Sequence, residues 1–151
     1  MYKKIATTLM AVTLLLWAWA TPGQAQDNLS FGIIAHPLVE VESLSMGELK
    51  RLFTKQRSHW DDGTPVVVIE LAGNAPARAD FYRLVLKKTI DEMSLYWINQ
   101  TMVHGAAPPV SHGSARRVYA HVARTPGAIA FIPINAPVTA KVKRIGIRNN
   151  H

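Results

Sequence analysis

The chain has 151 residues, with 17 Lys and Arg against 10 Asp and Glu, a formal net charge of +7, and no cysteine. The missing thiols exclude disulfides, zinc-thiolate sites and cysteine nucleophiles at one stroke. The basic balance favours anionic partners. The positive charges are dispersed rather than gathered into a stripe with stacking aromatics, so nucleic acid is not expected among them.

Lys3 and Lys4 precede an apolar run from Ile5 to Ala20 that ends in small residues and then Thr21-Pro22-Gly23. This is the charged, apolar, small-residue order of a secretory signal. Cleavage after Ala20 or after Ala25 fits, and the polar start that follows favours Ala25. The expectation is a signal peptide over 1–25 and a single domain over 26–151, periplasmic or secreted. The apolar run is at the short end for a membrane span, so no stable insertion is expected after cleavage. No cysteine follows it to carry a lipid. The remaining part, roughly 125 residues, is one ordinary domain with enough apolar content for a core. With Lys3 and Lys4 set aside it keeps 15 basic against 10 acidic residues, net +5.

In chain order, "LSFGIIA" (Leu29 to Ala35) is a short apolar run bounded by polar residues and the His36-Pro37 corner, and it predicts a buried strand. "SLSMGELKRLFTK" predicts a helix with Ser45 as N-cap and Glu48 completing a capping box. Met46, Leu49, Leu52 and Phe53 share its inner face. Asp61-Asp62-Gly63 is a turn, and the β-branched run "VVVIE" after Pro65 predicts a strand covered on both faces, as in parallel sheets. "APARADFYRLVLKK" predicts a helix with Phe81, Leu84 and Val85 inward and Arg78, Asp80, Arg83 and Lys87 outward. A second helix begins near Asp91 and buries Met93, Tyr96 and Trp97. "VHGAAPPVSHGS" is the longest irregular stretch, a loop of the kind that carries function. "SARRVYAHVART" is a helix with Ala115, Val118, Tyr119 and Val122 on one side, "AIAFIPI" a buried strand, and "KVKRIGI" a last, partly exposed one. The predicted order β-α-β-α-α-α-β-β belongs to an α/β layer fold.

Several of these phrases, at ordered spacing, resemble the phosphate-type periplasmic solute-binding proteins of ABC importers. They are "LSMGELKRLFTKQRSHWDDGTPV" (Leu44 to Val66), Phe81 within its helix, Trp97, and "TPGAIAFIP" (Thr125 to Pro133). The resemblance implies a periplasmic-binding-protein-like lobe: a mixed, mostly parallel sheet flanked by helices, non-enzymatic, in a transport-related setting. Family members with a full cleft have two lobes, whereas this length provides about one. The family's anion loop, an Arg followed by Ser-Gly-Thr ahead of the helix bearing the Phe, falls on Leu71 and on Ala75, Pro76 and Ala77. The hydroxyls and guanidinium that would hold phosphate oxygens are absent from those positions.

Candidate sites follow from local chemistry. His59, Asp61 and Asp62 crowd together, but chain neighbours point to different sides and no metal-binding spacing accompanies them. Trp60 is read as the anchor of that corner. The loop holding Gly73 and Asn74 runs from a strand to a helix start, where free N–H groups attract anions, with Asn74 as a cap and Arg78 in the first turn. A second such end groups Ser111, Ser114, Arg116 and Arg117. His104, His112 and His121 lack a partner nucleophile at a recognisable spacing. The expected partners are a small anion such as phosphate, bound weakly through the loops 72–78 and 104–114, or else an envelope protein or a second copy of the chain. No cofactor is expected.

Overall fold

A computed structural model describes residues 29–148, so the proposed signal segment and its cleavage points lie outside the described residues. The chain forms β1 (Phe31–Ala35), β2 (Ser43–Ser45), α1 (Met46–Phe53), β3 (Val67–Leu71), α2 (Pro76–Phe81), α3 (Ile90–His104), β4 (Val110–His112), α4 (Ala115–Val122), β5 (Ala128–Pro133) and β6 (Lys143–Arg148). The strands make one six-stranded sheet in the order β2-β6-β1-β5-β3-β4. β1 is antiparallel to both of its neighbours, and every other pairing is parallel. The mixed, mostly parallel sheet expected from the sequence is therefore present.

Residues opposed across a ladder share a face of the sheet. The pairings Ile33 with Phe131 and Val68 with Ile129 put Phe31, Ile33, Phe131, Ile129, Val68 and Glu70 on one face. There Phe81 stacks on Phe131 at 4.3 Å and meets the edge of Phe31 at 5.2 Å, while Phe53 lies 4.5 Å from Phe81. α4 covers the opposite face, burying Val118 and Val122. Both faces being covered, all of β1 and most of β3 and β5 are buried, which is why these strands are continuous apolar runs.

α1 starts as expected: Ser45 accepts from the Glu48 N–H and the Glu48 carboxylate accepts from the Ser45 N–H. α3 repeats the device with Thr89 and Glu92. α2 does not. Its N-cap is Ala75, with no side-chain bond, and Pro76 opens the helix, so Asn74 is not the cap predicted. After Phe81 the helix widens into a π turn over Tyr82–Leu86 that ends at Lys87 in the left-handed region. The wider turn brings Phe81 and Tyr82, then Val85 and Leu86, inward, leaving Leu84 half-buried.

Two further differences concern short edges. β2 and β4, three residues each, close the two sides of the sheet. β4 lies inside the stretch expected to be wholly loop, and Val103 and His104 belong to α3. Three-residue edge strands carry no alternation long enough to register as a pattern. Among the described residues no helix is long and apolar enough to cross a membrane.

Candidate functional site

β3 ends its apolar run with a carboxylate. Glu70 is 4% exposed, on the sheet face that meets α2 and α3. Burying a carboxylate is costly unless partners replace water, and Tyr82 supplies one: its hydroxyl donates to Glu70 Oε2 at 2.6 Å. Tyr82 reaches that position because the π turn swings it inward. Burial pushes the Glu70 carboxyl above its ordinary value, against the Tyr82 hydrogen bond and the charges of Arg78 and Lys55, which favour ionisation. Burial and the adjacent Glu70 hold the Tyr82 phenol well above its usual range.

Arg78 was expected to point outward. It folds back instead, its guanidinium 5.0 Å from the Tyr82 ring centroid. One terminal nitrogen donates to the Tyr82 hydroxyl at 3.3 Å and the other to the Gly73 carbonyl at 3.2 Å. The buried Glu70 charge offers a reason for the turn: a cation near it offsets part of the desolvation cost. From the end of α1, Lys55 donates to the Ala107 carbonyl at 2.7 Å and lies over the Trp97 ring. This ties the segment before β4 to the body of the lobe.

Between these elements is a cavity of about 210 Å³. Glu70 comes from β3, Arg78 from α2, Tyr82 from the π turn, and Met93, Ser94 and Trp97 from α3; Pro108, Pro109 and Ser111 close the far side. Glu70 and Ser111 are register partners near the carboxyl ends of two parallel strands, the end of an open α/β sheet where ligands bind. Three buried polar atoms of the lining residues have no partner: Glu70 Oε1, Arg78 Nε and Trp97 Nε1.

The six residues singled out from sequence are therefore not one constellation. Arg78 and Ser111 meet at this cavity, and Gly73, at a φ of +84°, joins them through its carbonyl. Asn74 is exposed on a separate, larger hollow of about 750 Å³ with Asp80, Arg83 and Lys87. Ser114 caps α4, accepting from the Arg117 N–H at 3.4 Å. Arg116 lines a third hollow on the α4 side with Tyr119 and Ile132. His112 and His121 form a hydrogen-bonded pair, 2.9 Å between ring nitrogens, that joins β4 to α4. At the Trp60 corner Asp61 pairs with Arg57, and Asp62 accepts from the Thr64 N–H and hydroxyl. Glu70, Tyr82 and Trp97 were missed as site residues. The signal for Glu70 was available: a lone carboxylate closing a strand predicted to be covered on both faces has to be buried.

Solved structures that share the fold include phosphate-transport proteins. A phosphate ABC transporter substrate-binding protein from Clostridium perfringens with bound phosphate superposes with a TM-score of 0.57 at 16% identity, covering 78% of this chain and 44% of that one. The fold is that of a periplasmic-binding-protein-like lobe. An ABC-type phosphate transport receptor from Vibrio cholerae gives 0.55 at 18% identity over 78% and 46% of the two chains. PstS from Borrelia burgdorferi gives 0.59 at 14% over 81% and 48%. The lobe thus spans less than half the length of each of these proteins. No family model matches the sequence, and no curated protein matches it.

Proposed function

We propose that this lobe is an exported, non-enzymatic solute-binding protein, periplasmic or secreted, that takes a small polar solute in the cavity between the loops 72–78 and 104–114. The observation that carries this reading is that Arg78, from α2, and Ser111, from β4, line one cavity with the buried Glu70. Two of the named structures are of phosphate-transport proteins, one with phosphate bound, and a small oxyanion at Arg78 is the version of the reading nearest to them. With Leu71, Ala75, Pro76 and Ala77 in place of the family's anion loop, phosphate affinity is expected to be weak. Calorimetry with inorganic phosphate, on wild type and Arg78→Ala, tests this: weak binding in the first and none in the second supports it, and no heat at millimolar phosphate removes the phosphate version.

A second reading, an interaction module of the cell envelope, is favoured by a different observation. α3 leaves Leu95, Ile98, Met102 and Val103 between 57% and 81% exposed, an apolar stripe at helical spacing. Size in solution, together with capture from envelope extracts, tests it. A strict monomer with no partner and with tight solute binding would exclude it.

A further inference from the structure

The cavity described above has a polarity that phosphate does not match. Three of the side chains that line it each carry a buried polar atom without a partner: one carboxylate oxygen, Glu70 Oε1, and two N–H donors, Arg78 Nε and Trp97 Nε1. Each orphaned buried group costs free energy that a bound partner would recover. A bare anion suits the two donors and meets repulsion at Glu70. A simple amine suits Glu70 and meets repulsion at Arg78. A molecule carrying both groups suits all three and adds no net charge to a site whose own carboxylate and guanidinium already balance. Size sets a second limit: 210 Å³ is the share of about seven water molecules in the liquid, room for one solute of a few heavy atoms. Apolar surface from Met93, Pro108 and Pro109 accounts for a short aliphatic group.

We propose that the cavity binds a small zwitterion of the amino-acid type, its ammonium on Glu70 Oε1 and its carboxylate between Arg78 Nε and Trp97 Nε1. This rests on the reading of the cavity as a solute site and names the class of solute. The three atoms are shielded from bulk water in this conformation, so binding involves a small outward shift of Trp97 or of the Pro108-Pro109 segment.

The test is a titration of the full chain, labelled with ¹⁵N at tryptophan, with L-alanine, with inorganic phosphate and with methylamine. The Trp97 indole peak, assigned by its loss in Trp97→Phe, reports on the cavity. The Trp60 indole, which donates to the Gly127 carbonyl and does not line the cavity, reports on the fold. Expected are a saturable shift of Trp97 with alanine at least tenfold tighter than with phosphate or methylamine, an unmoved Trp60, and at least a tenfold loss of alanine affinity in Glu70→Gln with phosphate affinity kept or improved. Phosphate binding as tightly as alanine, or alanine affinity unchanged in Glu70→Gln, overturns the zwitterion and leaves the solute site standing. If none of the three moves Trp97, water alone fills the cavity and both readings fall.

Discussion

Trp60 donates its indole N–H to the carbonyl of Gly127 at 2.9 Å, joining positions 67 residues apart. The bond holds the corner before β3 against the turn before β5, two parallel neighbours whose ladder begins at Val67 and Ala128. Gly127 has a φ of +78°, and a Cβ there would lie 2.2 Å from the Pro65 carbonyl oxygen. Gly127→Ala is therefore expected to cost about 2–4 kcal/mol, from strain and the forced shift of backbone together. Urea denaturation measures it, and a loss under about 1 kcal/mol would mean that the two turns are not rigidly apposed.

The aromatic stack offers a second test. Phe81, fully buried, stacks on Phe131 and touches Phe31 and Phe53. Phe81→Ala removes the shared member of the cluster and is expected to cost about 3–5 kcal/mol. Phe81→Leu should cost clearly less, since most of the volume is kept.

Glu70 makes a prediction about pH. Its folded pKa is raised, so between the ordinary carboxylate range and that raised value the folded chain holds a proton the unfolded chain has released. Stability then falls as pH rises through this window. Glu70→Gln keeps an oxygen for the Tyr82 hydroxyl and abolishes the charge, so at neutral pH it is expected to be more stable than wild type by about 1–2 kcal/mol. Thermal melts of both proteins from pH 5 to pH 8 check this, with curves that converge at the acid end. A variant less stable than wild type at neutral pH would show that the Arg78 and Lys55 charges outweigh burial.

The histidine pair acts with the opposite sign. Burial first, then the neighbouring His112 and Arg124, lower the His121 pKa. Its neutral form is the one the fold favours, so the contribution is complete above the ordinary histidine pKa and is lost as pH falls through the lowered one. Protection factors of β4 amides, corrected for the intrinsic pH dependence of exchange, should therefore fall as pH drops below the ordinary histidine range. In His121→Phe that pH dependence should flatten, and an unchanged profile would place the β4 transition elsewhere.

The α1 cap is the simplest test. Ser45→Ala removes the hydroxyl that accepts from Glu48 N–H and is expected to cost about 1 kcal/mol in the same denaturation assay.

Long signals in the sequence were legible. The apolar runs of β1, β3 and β5, the capping box at Ser45 and the turn at Gly63 all declared themselves through composition and spacing, because each is decided within a few neighbouring residues. What was not legible depends on partners distant in sequence. Arg78 looked like a solvated helix residue, and its turn toward Tyr82 follows from a π turn and from the carboxylate of Glu70 on β3. β4 exists because β3 offers it an edge, and its own three residues carry no pattern. The candidate site was found by half: the two loops were marked, but the carboxylate beneath them was read as part of a strand.

The position of β1 has a consequence for how the lobe is made. Its two neighbours, β5 and β6, are the last two strands among the described residues. A nascent chain released only as far as α4 would contain the innermost strand with both edges bare, and with nothing to stack on Phe81 from Phe131. Local helices can form early, but the sheet waits for the final segment, so non-local closure sets the folding rate. β1 must therefore be kept from pairing with other bare strand edges until residues 128–148 are available to it.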